Sequence, residues 1–219
     1  LLTLAGSGLG LAEPPVTLSD ATLGATPPAG AIVLLDDGPL KGWVQAADRS
    51  PAHWPFADGI LTVRGGDIMT ERTFGDFELH LEFNVPYMPT ARGQGRGNSG
   101  VYLTGNHELQ VLDSYGLKSQ DNDCGAIYHQ IAPKVNACKP PLQWQTYDVT
   151  FHKAKVDDGK VLKKARVTVN QNGVKIIDDA EISPTPGGIG VPEGQNGPLL
   201  LQDHGNPVQY RNIWIKPLD

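Results

Sequence analysis

The segment Phe77-Glu78-Leu79-His80-Leu81-Glu82-Phe83-Asn84-Val85 alternates apolar and polar residues without a break, and Pro86 ends it. A period of two suits a strand with one face buried and no helix. The same pattern returns in Gln145-Thr146-Tyr147-Asp148-Val149-Thr150-Phe151-His152. It returns again on both sides of the Gly-Asn turn in GNSGVYLTGNHELQVLD, residues 97–113. Arg166–Asn170 and Val174–Ile177 flank Asn172-Gly173, which supplies the positive φ of a tight hairpin turn. No window carries helical spacing with caps over three turns. Further short strands are expected at Ala31–Leu35, Gly42–Val44, His53-Trp54, on both sides of Gly65-Gly66 in Gly59–Thr70, and in Leu199–Gly205 and Tyr210–Lys216. Ten or more short strands pack most simply as two antiparallel sheets.

With 219 residues the strands make one domain, expected over 31–219. The 26 glycines and 18 prolines are spread along the chain, so they mark turns and not a disordered tract. No internal repeat is visible. A net charge of −6, without any basic run, argues against a nucleic-acid partner, and 39% apolar residues suit a core and not a membrane span. Residues 1–30 read as an N-terminal arm or signal remnant. LLTLAGSGLGLAEPP has the apolar run and small residues of a secretory signal, so export to the periplasm or beyond is expected; as a retained arm it would pack on the domain or on a second copy in a homo-oligomer. In an exported protein the pair Cys124 and Cys138 suggests a disulfide around His129. Two free buried thiols are the alternative. A metal site is a third, although Cys124, His129 and Cys138 fall one ligand short of structural zinc.

The polar faces carry the candidate chemistry. Glu108 and Gln110 share a strand face, and Asn98 and Tyr102 share the matching face of the partner strand. Amides and a carboxylate bind vicinal hydroxyls through donors and acceptors at fixed separation, and the carboxylate can serve as a base. A plain solvent face is the other reading. Gln202 and His204 share a face near the Gly205-Asn206-Pro207 turn, with Asp203 pointing inward or sitting at a bulge. His204 suits proton transfer near neutral pH. Glu78, His80 and Glu82 form a stripe that lines a groove, stays solvated or holds a metal. Arg92 and Arg96 belong to a glycine-rich loop, 88–97, that runs close to a groove. Its GxGxxG is followed by a strand and not a helix, so it is no dinucleotide fingerprint. Asp121-Asn122-Asp123 opens like a calcium loop but lacks the remaining ligands. Trp144 is a stacking platform or core filler. No nucleophile elbow, zinc-protease motif, Walker loop or paired glycosidase carboxylates are present.

The blocks GQGRGNSGVYL, HELQVLDSYG, DNDCGAIY, PPLQWQTYDVTF, ARVTVNQNGV and GPLLLQDHGNPVQYRNIWIKPL, in that order, resemble the 3-keto-disaccharide hydrolase domain family over about residues 31–218. The resemblance implies a concanavalin-like β-jelly-roll with a sugar groove, acting on glycosides oxidised at C3. A C3 ketone acidifies the C2 proton; a base removes it, the enolate expels the C1 substituent, and water adds back. That chemistry needs no second glycosidase carboxylate. On this reading Glu108 and His204 transfer protons. Asn98, Gln110 and Gln202 hold hydroxyls or the enolate oxygen, beside Tyr102. Arg92, Arg96, His80 and Trp144 are outer contacts. A divalent metal could help the enolate through Glu78, His80, Glu82 or His204. The alternative is a non-catalytic carbohydrate-binding or self-assembling module on the same sandwich.

Overall fold

The alternating segments fold as strands in a computed structural model that describes residues 16–218. The strands are β1 (Ile32–Leu35), β2 (Trp43–Gln45), β3 (Phe56–Ala57), β4 (Ile60–Thr62), β5 (Ile68–Phe74), β6 (Phe77–Asn84), β7 (Ser99–Leu103) and β8 (His107–Val111). They continue as β9 (Gln145–His152), β10 (Lys155–Asp157), β11 (Lys160–Lys163), β12 (Ala165–Gln171), β13 (Val174–Ile182), β14 (Gly197–Leu201) and β15 (Gln209–Pro217). The one helical turn among the described residues is a 3-10 turn at Gly93–Gly95. No helix there is long and apolar enough to cross a membrane.

Two antiparallel sheets form a jelly-roll sandwich. The larger has eight strands, in the order β13-β12-β9-β6-β15-β4-β3, with β1 sharing the edge of β15 beside β4. The smaller runs β2-β5-β14-β7-β8. Phe77, Leu79, Leu81 and Phe83 of β6 meet Val101, Leu103, Leu109, Val111, Leu199 and Leu201 of the smaller sheet in one core. The period of two therefore sends Tyr102, Glu108 and Gln110 to the outer face of the smaller sheet. It sends Glu78, His80 and Glu82 to the outer face of the larger one, on the opposite side of the molecule.

Three local features depart from expectation. The strands flanking Gly65-Gly66 do not pair: β4 belongs to the larger sheet and β5 to the smaller, so the turn carries the chain between layers. Both glycines have positive φ, 93° and 95°, which the crossing requires. β10 and β11 form a separate exposed hairpin in a Lys/Asp-rich stretch with little apolar content. The expected disulfide is absent: Cys124 and Cys138 are free buried thiols. Gln171 Nε2 faces both sulfurs, at 3.5 and 3.4 Å, and the Tyr147 hydroxyl lies 3.1 Å from Cys124, so the thiols are polar core groups and not a cross-link.

The apolar run of residues 1–15 lies outside the described residues. The segment 18–25 docks on the domain itself. Ser19 N donates to Asn172 O (2.8 Å), the Thr22 and Thr146 hydroxyls pair (2.9 Å), and Gly24 N donates to Glu82 Oε1 (2.5 Å). This strap covers the outer face of the larger sheet.

Candidate active site

A hollow of about 190 Å³ opens on the outer face of the smaller sheet, lined by side chains of Gln94, Asn98, Tyr102, Glu108, Gln110, Tyr128, Gln202 and His204, with Pro186 and Gly187. β7 and β8 supply its floor. The register pairs Tyr102 with Glu108 and Gly100 with Gln110, which puts phenol, carboxylate and amide on one face. Gly100 is there for space: a Cβ would come within 2.7 Å of Glu108 Oε1 and 3.1 Å of its Cγ. Gly187 likewise presses on the Tyr102 hydroxyl, where a Cβ would approach to 2.6 Å.

Glu108 is 3% exposed. Burial raises its pKa to about 7, with nearby Asp67 adding to the shift and the hydrogen bond from Tyr102 opposing it. Tyr102 Oη lies 2.9 Å from Glu108 Oε2 and 3.2 Å from Pro186 O, and it accepts from Gln202 Nε2 at 3.3 Å. Burial first, then the Glu108 charge, pushes the Tyr102 phenol well above its usual range. It stays a neutral donor at every working pH. Tyr128, held by its backbone N–H to Glu108 O (3.1 Å), is raised by burial and by Glu108 in the same way.

The amides form a second set. Asn98 Nδ2 donates to Gln94 O (2.7 Å) and Gln94 Oε1 (3.2 Å), and Gln110 Nε2 donates to the same Oε1 (3.1 Å). Their other ends, Asn98 Oδ1, Gln110 Oε1 and Gln202 Oε1, are buried acceptors without a partner. Leaving one such group unpaired costs on the order of 1–3 kcal/mol. All three side chains line the hollow, so a ligand that brings donors is the natural partner for these oxygens.

His204 stands exposed at the rim, just past β14. Asp203 points neither into the core nor into the hollow. Its Oδ2 accepts Gly65 N (2.7 Å) and Gly66 N (2.8 Å), its Oδ1 accepts Gly205 N (2.7 Å), and its own N–H donates to Asp67 Oδ1 (2.7 Å). Asn206 Oδ1 accepts Asn98 N (2.8 Å). The segment carrying Gln202 and His204 is thereby clamped to the interlayer turn and to β7.

The remaining sequence candidates lie elsewhere. Arg92 folds back onto the carbonyls of Pro89 and Ala91 (both 2.7 Å), and Arg96 binds Asp113 through its carbonyl (2.8 Å) and carboxylate (3.3 Å), so neither side chain lines the hollow. Both arginines brace the 88–97 loop. His80 and Trp144 are not groove contacts, because strand alternation and the turn before β9 carry them to the outer face of the larger sheet. His80 is fully buried there, with Nδ1 on Asp148 (2.7 Å) and its ring stacked on Trp214. Trp144 lies 4.1 Å beneath the Arg211 guanidinium. Glu82 takes Arg211 (2.6 Å), Asn212 (3.0 Å) and Gly24 N, and Glu78 faces Lys216 (3.5 Å). These groups are committed to one another, and among the described residues no cluster of three His, Cys, Asp or Glu is placed to hold a metal. Gln94 and Tyr128 are the lining side chains that sequence reasoning passed over. Both sit on loops, where no periodicity points to a face; the location of the 88–97 loop beside the groove was the available signal for Gln94.

The profile of the 3-keto-alpha-glucoside-1,2-lyase-like domain matches residues 30–216. A 3-keto-disaccharide hydrolase from Bacteroides thetaiotaomicron is 26% identical over 241 aligned positions, spanning 87% of this chain and 79% of the relative. A crystal structure of a candidate glycosyl hydrolase from Parabacteroides distasonis superposes with a TM-score of 0.81 at 36% identity, covering 97% of this chain and 95% of the other. A second from the same organism, at 23% identity and a TM-score of 0.63, covers 87% and 94% and shares the fold.

Proposed function

The chain belongs to the 3-keto-alpha-glucoside-1,2-lyase-like domain family, and from that premise we propose that it cleaves glycosides already oxidised at C3 of the sugar. Glu108 takes the C2 proton, and the electron pair moves onto the C3 oxygen as an enolate. The enolate then collapses to a C1=C2 double bond as the C1–O bond breaks, and His204 at the rim protonates the departing oxygen. Water adds at C1, and a proton returns to C2, so the net reaction is hydrolysis. The Tyr128 hydroxyl donates to the enolate oxygen, and the amide oxygens of Asn98, Gln110 and Gln202 accept from the ring hydroxyls.

The observation that carries this reading is the buried Glu108 carboxylate, poised near pKa 7 at the floor of a hollow lined by Asn98, Gln110 and Gln202, each with an unpaired amide oxygen. A base with a pKa near the working pH is ionised for enough of the time and basic enough to act on an acidified C–H. Ordinary glycoside hydrolysis calls for two placed carboxyl groups, and among the described residues Glu108 is the one carboxylate lining this hollow. The test is aglycone release from a 3-keto-glucoside beside the unoxidised glucoside, run in D₂O. Release from the ketone alone, with solvent deuterium appearing at C2, supports the mechanism. Equal cleavage of both sugars overturns it. Sugar binding by the wild type with no release from either points instead to a binding module. Release that survives both Glu108→Gln and His204→Ala removes those two residues from their roles.

A further inference from the structure

We propose that Gln94 is a positioning residue that sets the polarity of the hollow, making it a cradle of acceptors that takes uncharged, hydroxyl-bearing sugar rings and turns away anionic ones. The inference rests on the carbohydrate reading of the site and adds which sugars it admits.

Two backbone carbonyls determine the orientation of the amides. Gln94 Nε2 donates to Asn122 O at 2.8 Å, so Gln94 Oε1 must face the other way. Asn98 Nδ2 donates to Gln94 O at 2.7 Å. A carbonyl can only accept, so neither amide can be reversed without losing its bond. Gln94 Oε1 then faces the amino groups of both Asn98 (3.2 Å) and Gln110 (3.1 Å). Each amino group of this set makes an internal bond, and the atoms left without any partner, Asn98 Oδ1 and Gln110 Oε1, are acceptors. One side chain on the short 3-10 turn at Gly93–Gly95 thus relays the direction of a loop carbonyl to Gln110 on β8, and the backbone of the same residue orients Asn98.

The consequence is chemical. Hydroxyl groups donate to such acceptors, whereas a uronate or sulfate brings only more acceptors and a negative charge. Glu108 already lines the hollow, with Asp67 close enough to act on its charge. Among the described residues no lysine or arginine lines it: Arg92 and Arg96 are spent on the 88–97 loop and Asp113. An anionic ring would meet like charge and unpaired oxygens at the floor of the hollow, with no lysine or arginine there to compensate.

The experiment measures binding, so it does not depend on turnover. Two non-cleavable C-glycosides are titrated, a 3-keto-C-glucoside and the counterpart carrying a C6 carboxylate, against wild type, Gln94→Leu and Gln94→Glu. The wild type should favour the neutral ligand by at least about 100-fold. Gln94→Leu frees the Gln110 amide to rotate, while Asn98 stays on the carbonyl of residue 94, and should lose at least tenfold of that preference. Gln94→Glu keeps two acceptor oxygens for Asn98 and Gln110 and should retain most of it. A merely structural role for Gln94 would weaken both ligands in parallel and leave the ratio unchanged, and that result overturns the proposal. So does a wild type that binds the carboxylate-bearing ligand as well as the neutral one. Failure of the cleavage assay with this preference intact would count against the proposed reaction and not against the cradle.

Discussion

Glu108 is the residue on which the proposed chemistry turns, and its environment makes the predictions directional. A general base typically contributes about 10²–10⁴-fold to the rate. Glu108→Gln keeps the shape and removes the basicity, so kcat on a 3-keto-glucoside should fall by at least about 100-fold while the KM changes little; steady-state kinetics with aglycone detection measures both. Only the carboxylate form works, so the rate should climb with pH through about 7. Asp67 adds to the rise in the Glu108 pKa, hence Asp67→Asn should move that limb to lower pH. A limb that moves upward, or stays in place, would exclude Asp67 as an influence on the base. Glu108, Gln110, Asn98 and Tyr102 were legible as one polar face because a strand repeats every second residue. Gln94 and Tyr128 were not, since loop residues reach a site through turns that leave no period in the sequence. His80 illustrates the reverse error: it lies on an equally regular polar face, and alternation alone does not say which side of a sandwich that face covers.

The elements owe their placement to a few glycines that stand where no side chain fits. Gly100 on β7 leaves the volume that the Glu108 carboxylate fills, and the obstructing atoms are the far end of a side chain. Gly100→Ala should therefore push the carboxylate aside at modest cost in stability, losing activity more than about tenfold with a melting temperature within a few degrees of wild type. Gly197 at the start of β14 is a different case. A Cβ there would lie 2.1 Å from the Thr104 carbonyl oxygen, in the turn between β7 and β8, and backbone cannot swing away. Gly197→Ala should cost several kcal/mol, at the exceptional end for a point substitution, seen as a large drop in the denaturant midpoint or as failure to fold. Similar behaviour of the two variants in both assays would contradict this reading. The pairing of β7 with β8 and of β12 with β13 could be read from short turns, whose partners are adjacent in sequence. The split of β4 from β5 could not, because a Gly-Gly turn permits a hairpin and a layer crossing equally. The β10–β11 hairpin escaped notice because no core contact imposes alternation on it.

The molecule as a whole carries buried groups on both faces whose demands on pH oppose one another. On the larger sheet the strap over residues 18–25 is latched by Glu82. A register shift near Asn212, whose φ is +46°, lets Arg211 and Asn212 both reach that one carboxylate from successive positions. Burial would raise the pKa of Glu82, but hydrogen bonds from His80, Asn212, Gly24 and Arg211 outweigh it and hold the group at about 2, against an ordinary 4.5. A depressed carboxylate lends stability that is complete above 4.5 and drains away as pH falls toward 2, about 3 kcal/mol at 1.36 kcal/mol per unit. Burial lowers the His80 pKa, yet its bonds to Asp148 and Glu82 prevail and raise it. Its contribution is complete below the unfolded value of 6.5 and is lost as pH climbs through the raised folded one. Glu108 runs in the same sense: its raised pKa makes the fold less stable as pH rises from 4.5 to about 7. The three groups together place greatest stability in mildly acid solution, below the pH at which Glu108 is fully ionised and available as the base. Denaturant unfolding across pH 2 to 9 should peak between roughly 4.5 and 6.5. The stability gap between wild type and Glu82→Gln should shrink steadily as pH falls from 5 to 2, because the wild type loses the same charge by protonation. A gap of constant size over that range would mean that Glu82 is not the latch. Coincident optima for stability and turnover would mean that the buried base does not limit the fold in the way its pKa requires.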